Sequence, residues 1–257
     1  MAEEFVKRYY QILNMGEDFI RCGFRKGHPD LNRAGFRGLK AMQKDQSPIT
    51  PIETTWSRKN THLPDASSRL EELEQLEELA IEIRSCTACR LCNGRIHAVP
   101  GEGVPSPRVM LIGEAPGAQE DKSGSPFVGP AGKYLDKWMK AVGLSREKDL
   151  FIGNIIKCRP PDNRDPFPDE SAACRAFLDR QIDILKPQAI LTLGRISMQL
   201  LLETGDGIGR RHGELSEYRN IPLIPTYHPS GVLRNPQYRV PVWEDLKGLK
   251  RIIGDQP

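Results

Sequence analysis

Four short apolar runs mark the middle and end of the chain: VMLIG (109–113), LFIGNII (150–156), AILTLG (189–194) and IPLIPTY (221–227). Each is short and bounded by turn residues, which predicts a strand. Apolar positions at helical spacing lie between and after them, near 131–142, 170–185, 195–203 and 242–253. Strands alternating with helices predict right-handed crossovers, and so an α/β domain with a parallel sheet covered on both faces. Ligands of such sheets bind beyond the carboxyl ends of the strands. The loops GEAPG, NIIKCRPPDNR, LGR and YHPSG each follow one of the four runs, so they are expected to meet on one edge.

Upstream, LEELEQLEELAIEIRSC predicts a helix with an apolar stripe of Leu70, Leu73, Leu76, Leu79 and Ile83. Its outer face is acidic and would repel a phosphate backbone, so it is expected to point away from nucleic acid. Residues 1–62 differ in character. An amphipathic opening with Phe5, Tyr9, Ile12 and Leu13 at helical spacing gives way to a basic stretch with scattered glycines and prolines and no period. That composition predicts a tether. The expected organisation is therefore an N-terminal extension over 1–67 and one domain over 68–257.

The chain has 257 residues, 38% hydrophobic and 28% charged, as in an ordinary soluble protein. No apolar run approaches the roughly 20 residues of a membrane span, and the N-terminus lacks the apolar core of a secretory signal. A cytosolic protein is expected. The net charge of +3 does not by itself argue for nucleic acid.

Six cysteines in that compartment are unlike a disulfide framework, so their spacing reads as ligand chemistry. Cys86 and Cys89 form a C-x2-C pair, Cys158 follows the second apolar run, and Cys174 lies on the helix beyond. Four such thiolates suit zinc or an iron–sulfur cluster, and spacing does not separate the two. Cys92 extends the pair to CTACRLC, a local run that would release Cys158 or Cys174 from the set. Cys22 reads as a small buried apolar residue.

The stretch IGEAPGAQEDKSGSPFVGPAGK (112–133) holds glycines, two carboxylates and one aromatic ring. It matches neither GxxxxGK[ST] nor GxGxxG, which disfavours those modes of phosphate binding. Its features suit a flat base instead. Phe127 follows a proline and presents a ring on a rigid loop, where a stacked base gains about 1–3 kcal/mol. The amide of Asn154 offers a donor and an acceptor to one pyrimidine edge. His228 offers a donor to a carbonyl oxygen whose negative charge grows as a glycosidic bond breaks. Glu114 offers a carboxylate to hold water and stabilise a cationic sugar.

GEAPGAQED, PFVGPAG, GNIIKCRPPDNR, LGR, YHPSGVLRNP and VWEDLK, in this order over about residues 69–252, resemble the family 4 uracil-DNA glycosylases. The resemblance implies a three-layer α/β sandwich around a four-stranded parallel sheet. It also implies a 4Fe–4S cluster on Cys86, Cys89, Cys158 and Cys174, with Cys92 a bystander. The implied activity is removal of uracil from single- or double-stranded DNA. Carried across, Glu114, Ala115 and Gly117 shape the motif that orients water, and Glu120 stands where the methyl group of thymine would sit. Phe127 stacks, Asn154 reads the base and His228 steadies the departing oxygen. Ala115 occupies the place where the best-known uracil glycosylases carry a water-activating aspartate, which leaves Glu114 as the candidate base.

An enzyme of this kind must swing the nucleotide out of the stack, at a cost of a few kcal/mol. Val232 and Leu233 are placed to wedge into the gap. Arg234 is expected to meet phosphate, as are Lys157, Arg159, Arg164 and Arg195. The expected partner is uracil-containing DNA, met by a monomer, with a clamp or repair protein engaged through the extension. Three alternatives are a glycosylase for another damaged base, a metal-stapled nucleic-acid-binding module without catalysis, and an electron carrier. The last leaves Phe127, Asn154 and His228 without a purpose.

Overall fold

The computed structural model describes residues 66–254. The expectations for Cys22 and for the segment 1–62 lie outside them. The first helix, α1 (Ala66–Ser85), is followed by a two-residue strand, β1 (Glu102–Gly103), and by β2 (Val109–Gly113). Then come α2 (Ala118–Ser123), α3 (Pro130–Ala141), β3 (Leu150–Asn154), α4 (Pro168–Leu185), β4 (Ala189–Leu193), α5 (Arg195–Leu202) and α6 (Ile208–Arg211). The chain closes with β5 (Ser216–Tyr218), β6 (Ile221–Thr226), α7 (Pro229–Arg234) and α8 (Arg239–Ile253).

One sheet runs in the order β1-β3-β2-β4-β6-β5. The four strands read from the apolar runs pair in parallel at its centre, with Gly113 opposite Asn154 at the carboxyl end. The sheet nevertheless has six strands, since β1 and β5 add antiparallel edges. Two or three residues are too few to carry a period-2 pattern, and both strands leave side chains open to solvent.

Strand residues alternate between two cores because successive side chains point to opposite faces. Val109, Leu111, Leu150, Ile152 and Leu191 pack with Leu135 and Trp138 of α3 and Trp243 and Leu246 of α8. Met110, Ile112, Phe151 and Ile190 pack on the other face with Leu79 and Ile83 of α1 and Leu178 and Ile182 of α4. The three layers are thus helices, sheet, helices. The α1 stripe is buried only in its second half: Leu79 and Ile83 are buried, while Leu70 and Leu73 are exposed.

Proline sets several helix starts, because its fixed φ suits the first turn and its missing N–H leaves nothing unsatisfied there. Pro130, Pro168 and Pro229 open α3, α4 and α7. At α4 the Glu170 carboxylate also reaches back to accept the N–H of Phe167 at 2.8 Å. Among the described residues no helix is long and apolar enough to cross a membrane.

Candidate active site

Because β3, β2, β4 and β6 run parallel, the loops after them share one edge of the sheet. The pairing of β2 with β3 continues past the strands, where Ile155 and Ile156 donate their N–H groups to the carbonyls of Gly113 and Glu114.

Gly113 is where the site residues meet. A Cβ built there would stand 2.4 Å from Asn154 Oδ1 and 2.7 Å from Phe127 Cζ, so both side chains lie against its bare Cα. Only glycine leaves that space. Asn154 is 1% exposed, and its Oδ1 has no hydrogen-bond partner among the described residues. A buried acceptor left unpaired costs about 1–3 kcal/mol, so the position favours a ligand that donates to it.

The Phe127 ring centroid lies 5.7 Å from that of His228, with 34° between the planes. Phe127 is buried and has φ +52°, a left-handed conformation that costs a non-glycine residue about 1–2 kcal/mol. Surrounding contacts hold it there. Glu120 Oε1 accepts the N–H groups of Val128 and Gly129, each at 2.9 Å. Arg146 donates to the carbonyls of Pro126 and Phe127, at 3.1 and 2.7 Å. Gly132 lies beneath the same loop, where a Cβ would come within 1.6 Å of the Phe127 carbonyl oxygen. Gly117, at the N-terminus of α2, makes room for Glu120, whose Oε2 would be 2.7 Å from a Cβ there.

His228 caps α7. Its Nδ1 accepts the N–H of Ser230 at 3.2 Å and lies 2.7 Å from Ser230 Oγ. An accepting Nδ1 puts the proton of the neutral ring on Nε2, which is then a donor. Burial, reinforced by the charge of Arg234 and opposed by Glu120, lowers the His228 pKa to about 4. The ring keeps some surface open but is closely surrounded by protein, and near neutral pH it is uncharged.

Glu114 follows β2 and is partly buried. Burial pushes its carboxyl up to about 7, helped by the Asp165 carboxylate and opposed by Arg195. It therefore changes charge near neutral pH, in the range that suits a group exchanging a proton with water. Ala115 packs on the core facing α1 and α4.

The residues expected to touch DNA divide sharply. Val232 is 0% exposed and packs in the core, so it is not a wedge. Leu233 is partly open and Arg234 is exposed, which leaves those two at the surface of α7. Lys157 is 1% exposed and donates to the Asn154 carbonyl at 2.9 Å and to Gln181 Oε1 at 2.6 Å, so it does not reach a phosphate. Arg164 binds the Glu170 carboxylate through two nitrogens, at 2.8 and 2.7 Å, and lies over the Phe167 ring. Those partners account for its position without a phosphate. Arg195 pairs with Asp165, and Arg159 donates to Asn163.

Away from this edge, Cys86, Cys89, Cys92, Cys158 and Cys174 line one small pocket, with Ile83, Arg95, Lys157 and Phe177 among its walls. Among the described residues none of the five is paired in a disulfide. Arg95 donates to Cys158 Sγ at 2.9 Å, and the Ala88 N–H to Cys86 Sγ at 3.4 Å. Among the described residues no three His, Cys, Asp or Glu side chains converge on a point that a single ion would fill. Several sulfur donors facing one pocket are the donor set that iron–sulfur clusters take. Cys92 faces the same cavity as the four predicted ligands, which its reading as a bystander did not anticipate.

Sequence reasoning also missed Gly113, Arg146 and Asp121. Asp121 is buried on α2 and accepts the N–H groups of Ile96 and His97, tying the segment after the cysteine run to the helix that bears Glu120. Gly113 and Asp121 open and close the motif GEAPGAQED, which does not say what they pack against, while Arg146 lies in no motif, and the partners of all three are distant in sequence.

The sequence pattern of the Uracil DNA glycosylase superfamily matches residues 100–247, which span all six strands and the whole carboxyl edge. The chain is 44% identical over 189 residues to a type-4 uracil-DNA glycosylase of Sulfurisphaera tokodaii, covering 70% of this chain and 86% of that one. It is 43% identical over 194 residues to a type-4 uracil-DNA glycosylase of Saccharolobus solfataricus, covering 72% and 89%. It is 40% identical over 191 residues to one of Thermotoga maritima, covering 70% and 96%. With Gly113, Phe127, Asn154 and His228 all inside the matched span, the chain belongs to the uracil-DNA glycosylase superfamily, among its type-4 members.

Proposed function

We propose that this protein removes uracil from DNA by hydrolysing the N-glycosidic bond, the first step in repairing deaminated cytosine. The observation that carries the reading is the unpartnered, buried Oδ1 of Asn154 beside the Phe127 ring, itself within a short span of His228. Uracil presents an N–H donor flanked by two carbonyls. Its N–H satisfies Asn154 Oδ1 while the amide nitrogen donates to a neighbouring carbonyl. Its flat face lies on Phe127. The Nε2–H of neutral His228 donates to the carbonyl oxygen that gains charge as the bond to the sugar breaks, and one such donor is worth about 2.7–4 kcal/mol.

Glu114 holds the attacking water, and its carboxylate stabilises the cationic sugar. Ala115 and Gly117 keep the loop beside it narrow. Glu120 excludes thymine by occupying the space of the 5-methyl group, a role compatible with its hold on Val128 and Gly129. On the DNA side, Leu233 enters the stack vacated by the flipped nucleotide and Arg234 meets phosphate. Single- and double-stranded uracil-containing DNA are both substrates.

Cys86, Cys89, Cys158 and Cys174 hold a 4Fe–4S cluster, a reading supported by their common cavity. When bound, it supplies a staple between the segment after α1 and the body of the domain, because hydrolysis moves no electrons. The domain over 68–257 works as a cytoplasmic monomer, and the extension over 1–67 tethers it to a clamp or repair protein.

The test is release of free uracil from an oligonucleotide containing one deoxyuridine, measured beside the same strand with thymidine. Uracil release without thymine release is expected. Release of neither would remove the catalytic reading and leave a DNA-binding module.

A further inference from the structure

We infer that Arg146 is a positioning residue for base excision, setting the stacking face of Phe127 from outside the pocket. The inference rests on the reading of Phe127 as the ring under the base.

The loop Pro126–Gly129 is held by charges of opposite sign on opposite polar groups. The Glu120 carboxylate takes the two N–H groups of Val128 and Gly129, while the Arg146 guanidinium takes the two carbonyls of Pro126 and Phe127. The third guanidinium nitrogen, Nε, donates to Asp136 on α3 at 2.6 Å, which fixes the fork on the helix that follows the loop. All these bonds of Arg146 go to Pro126, Phe127 and Asp136, and none goes to Asn154, Glu114 or His228.

Arg146 therefore acts on the reaction only through the loop. Phe127 has positive φ, a conformation its own backbone disfavours. Gly132 closes the space under its carbonyl, so the oxygen is pinned between the glycine and the guanidinium. Remove the guanidinium and the peptide is free to relax toward a commoner conformation, which swings the ring away from its place beside His228. A lysine does not replace the fork, since one ammonium lacks the rigid spacing that spans two carbonyls and a carboxylate.

The test is a double-mutant cycle on the full chain, reading kcat and KM for excision from a uracil-containing single strand. Arg146→Ala is expected to lower kcat/KM about tenfold, a part of what base–aromatic stacking supplies. Arg146→Lys is expected to recover only part of the loss. In a Phe127→Ala background, Arg146→Ala is expected to have no further effect. An equal fold-loss in both backgrounds, with the wild type active, would overturn the inference alone. A wild type that leaves uracil in place would remove the functional reading and this inference with it. If Arg146→Ala does not fold, Asp136→Asn loosens the same guanidinium from its outer side. Its loss should likewise vanish in the Phe127→Ala background, and an equal loss in both would overturn the inference.

Discussion

The rings of Phe127 and His228 stand 5.7 Å apart although 101 positions in the chain separate them. One lies between α2 and α3 in the connection that follows β2, and the other follows β6 at the cap of α7, so the parallel order of the sheet brings them together. The buried amide of Asn154 meets the Phe127 ring over Gly113. Replacing either polar group should slow catalysis, and only at Asn154 should it do so without a cost in stability, since His228 also caps α7. His228→Ala is expected to lower kcat about 10²–10³-fold, the usual loss for one donor to a developing oxyanion. Asn154→Ala should cut turnover without lowering the melting temperature, because it deletes an acceptor that is unpaired in the free protein.

Gly113→Ala tests the convergence itself. Its new methyl would need the space now filled by Asn154 Oδ1 and the Phe127 ring. Excision is expected to fall at least as far as in Asn154→Ala, while circular dichroism stays that of a folded α/β protein. Full activity in Gly113→Ala would mean that the two side chains do not share the pocket.

The pH profile follows from Glu114 and His228. Glu114 must be ionised to hold the water, so kcat/KM should fall as pH drops through about 7. His228 must be neutral, a condition lost only below about 4, so it does not set that limb. Glu114→Gln should flatten the fall and lower the plateau. The stability linkage runs the other way. A carboxyl raised in the folded state binds its proton more tightly there, so its contribution is full below the unfolded pKa of 4.5 and is lost as pH rises through about 7. Melting temperatures of wild type and Glu114→Gln should thus differ more at pH 8 than at pH 5, with the variant the more stable at pH 8.

The two neighbours on α7 should behave differently. Val232→Ala empties core space and is expected to destabilise the fold by about 0.5–3 kcal/mol, with little effect on excision by the protein that remains folded. Leu233→Ala should slow excision from double strands more than from single strands, where no stack has to be opened. Equal losses on both substrates would remove the wedge assignment.

The strands were legible because four apolar runs are buried on both faces, and their order along the chain already fixed which loops lie at the carboxyl edge. Motif chemistry then singled out Glu114, Phe127, Asn154 and His228, and the structure brings Phe127 together with Asn154 and His228. Val232 was misassigned because a six-residue helix offers too few turns for periodicity to show which neighbour faces the core. Lys157 and Arg164 read as surface cations, yet Asn154, Gln181 and Glu170 hold them. Arg146 lies 19 residues beyond Phe127 in a stretch without a motif, and only the packing of the Pro126–Gly129 loop gives it a role.

The cysteine cavity makes a prediction independent of activity. Substituting serine for Cys86, Cys89, Cys158 or Cys174 should lower bound iron and visible absorbance and destabilise the domain, whereas Cys92→Ser should retain both. Loss of iron in Cys92→Ser, with retention in Cys174→Ser, would reassign the ligand set to the local cysteine run.

The most direct measurement is single-turnover excision from a uracil-containing single strand by the wild type, Asn154→Ala and His228→Ala, each confirmed as folded. A fast wild type with both variants slowed at least about 10²-fold is the expected result. Full rate in both variants would contradict the assignment of this pocket as the place where uracil is held.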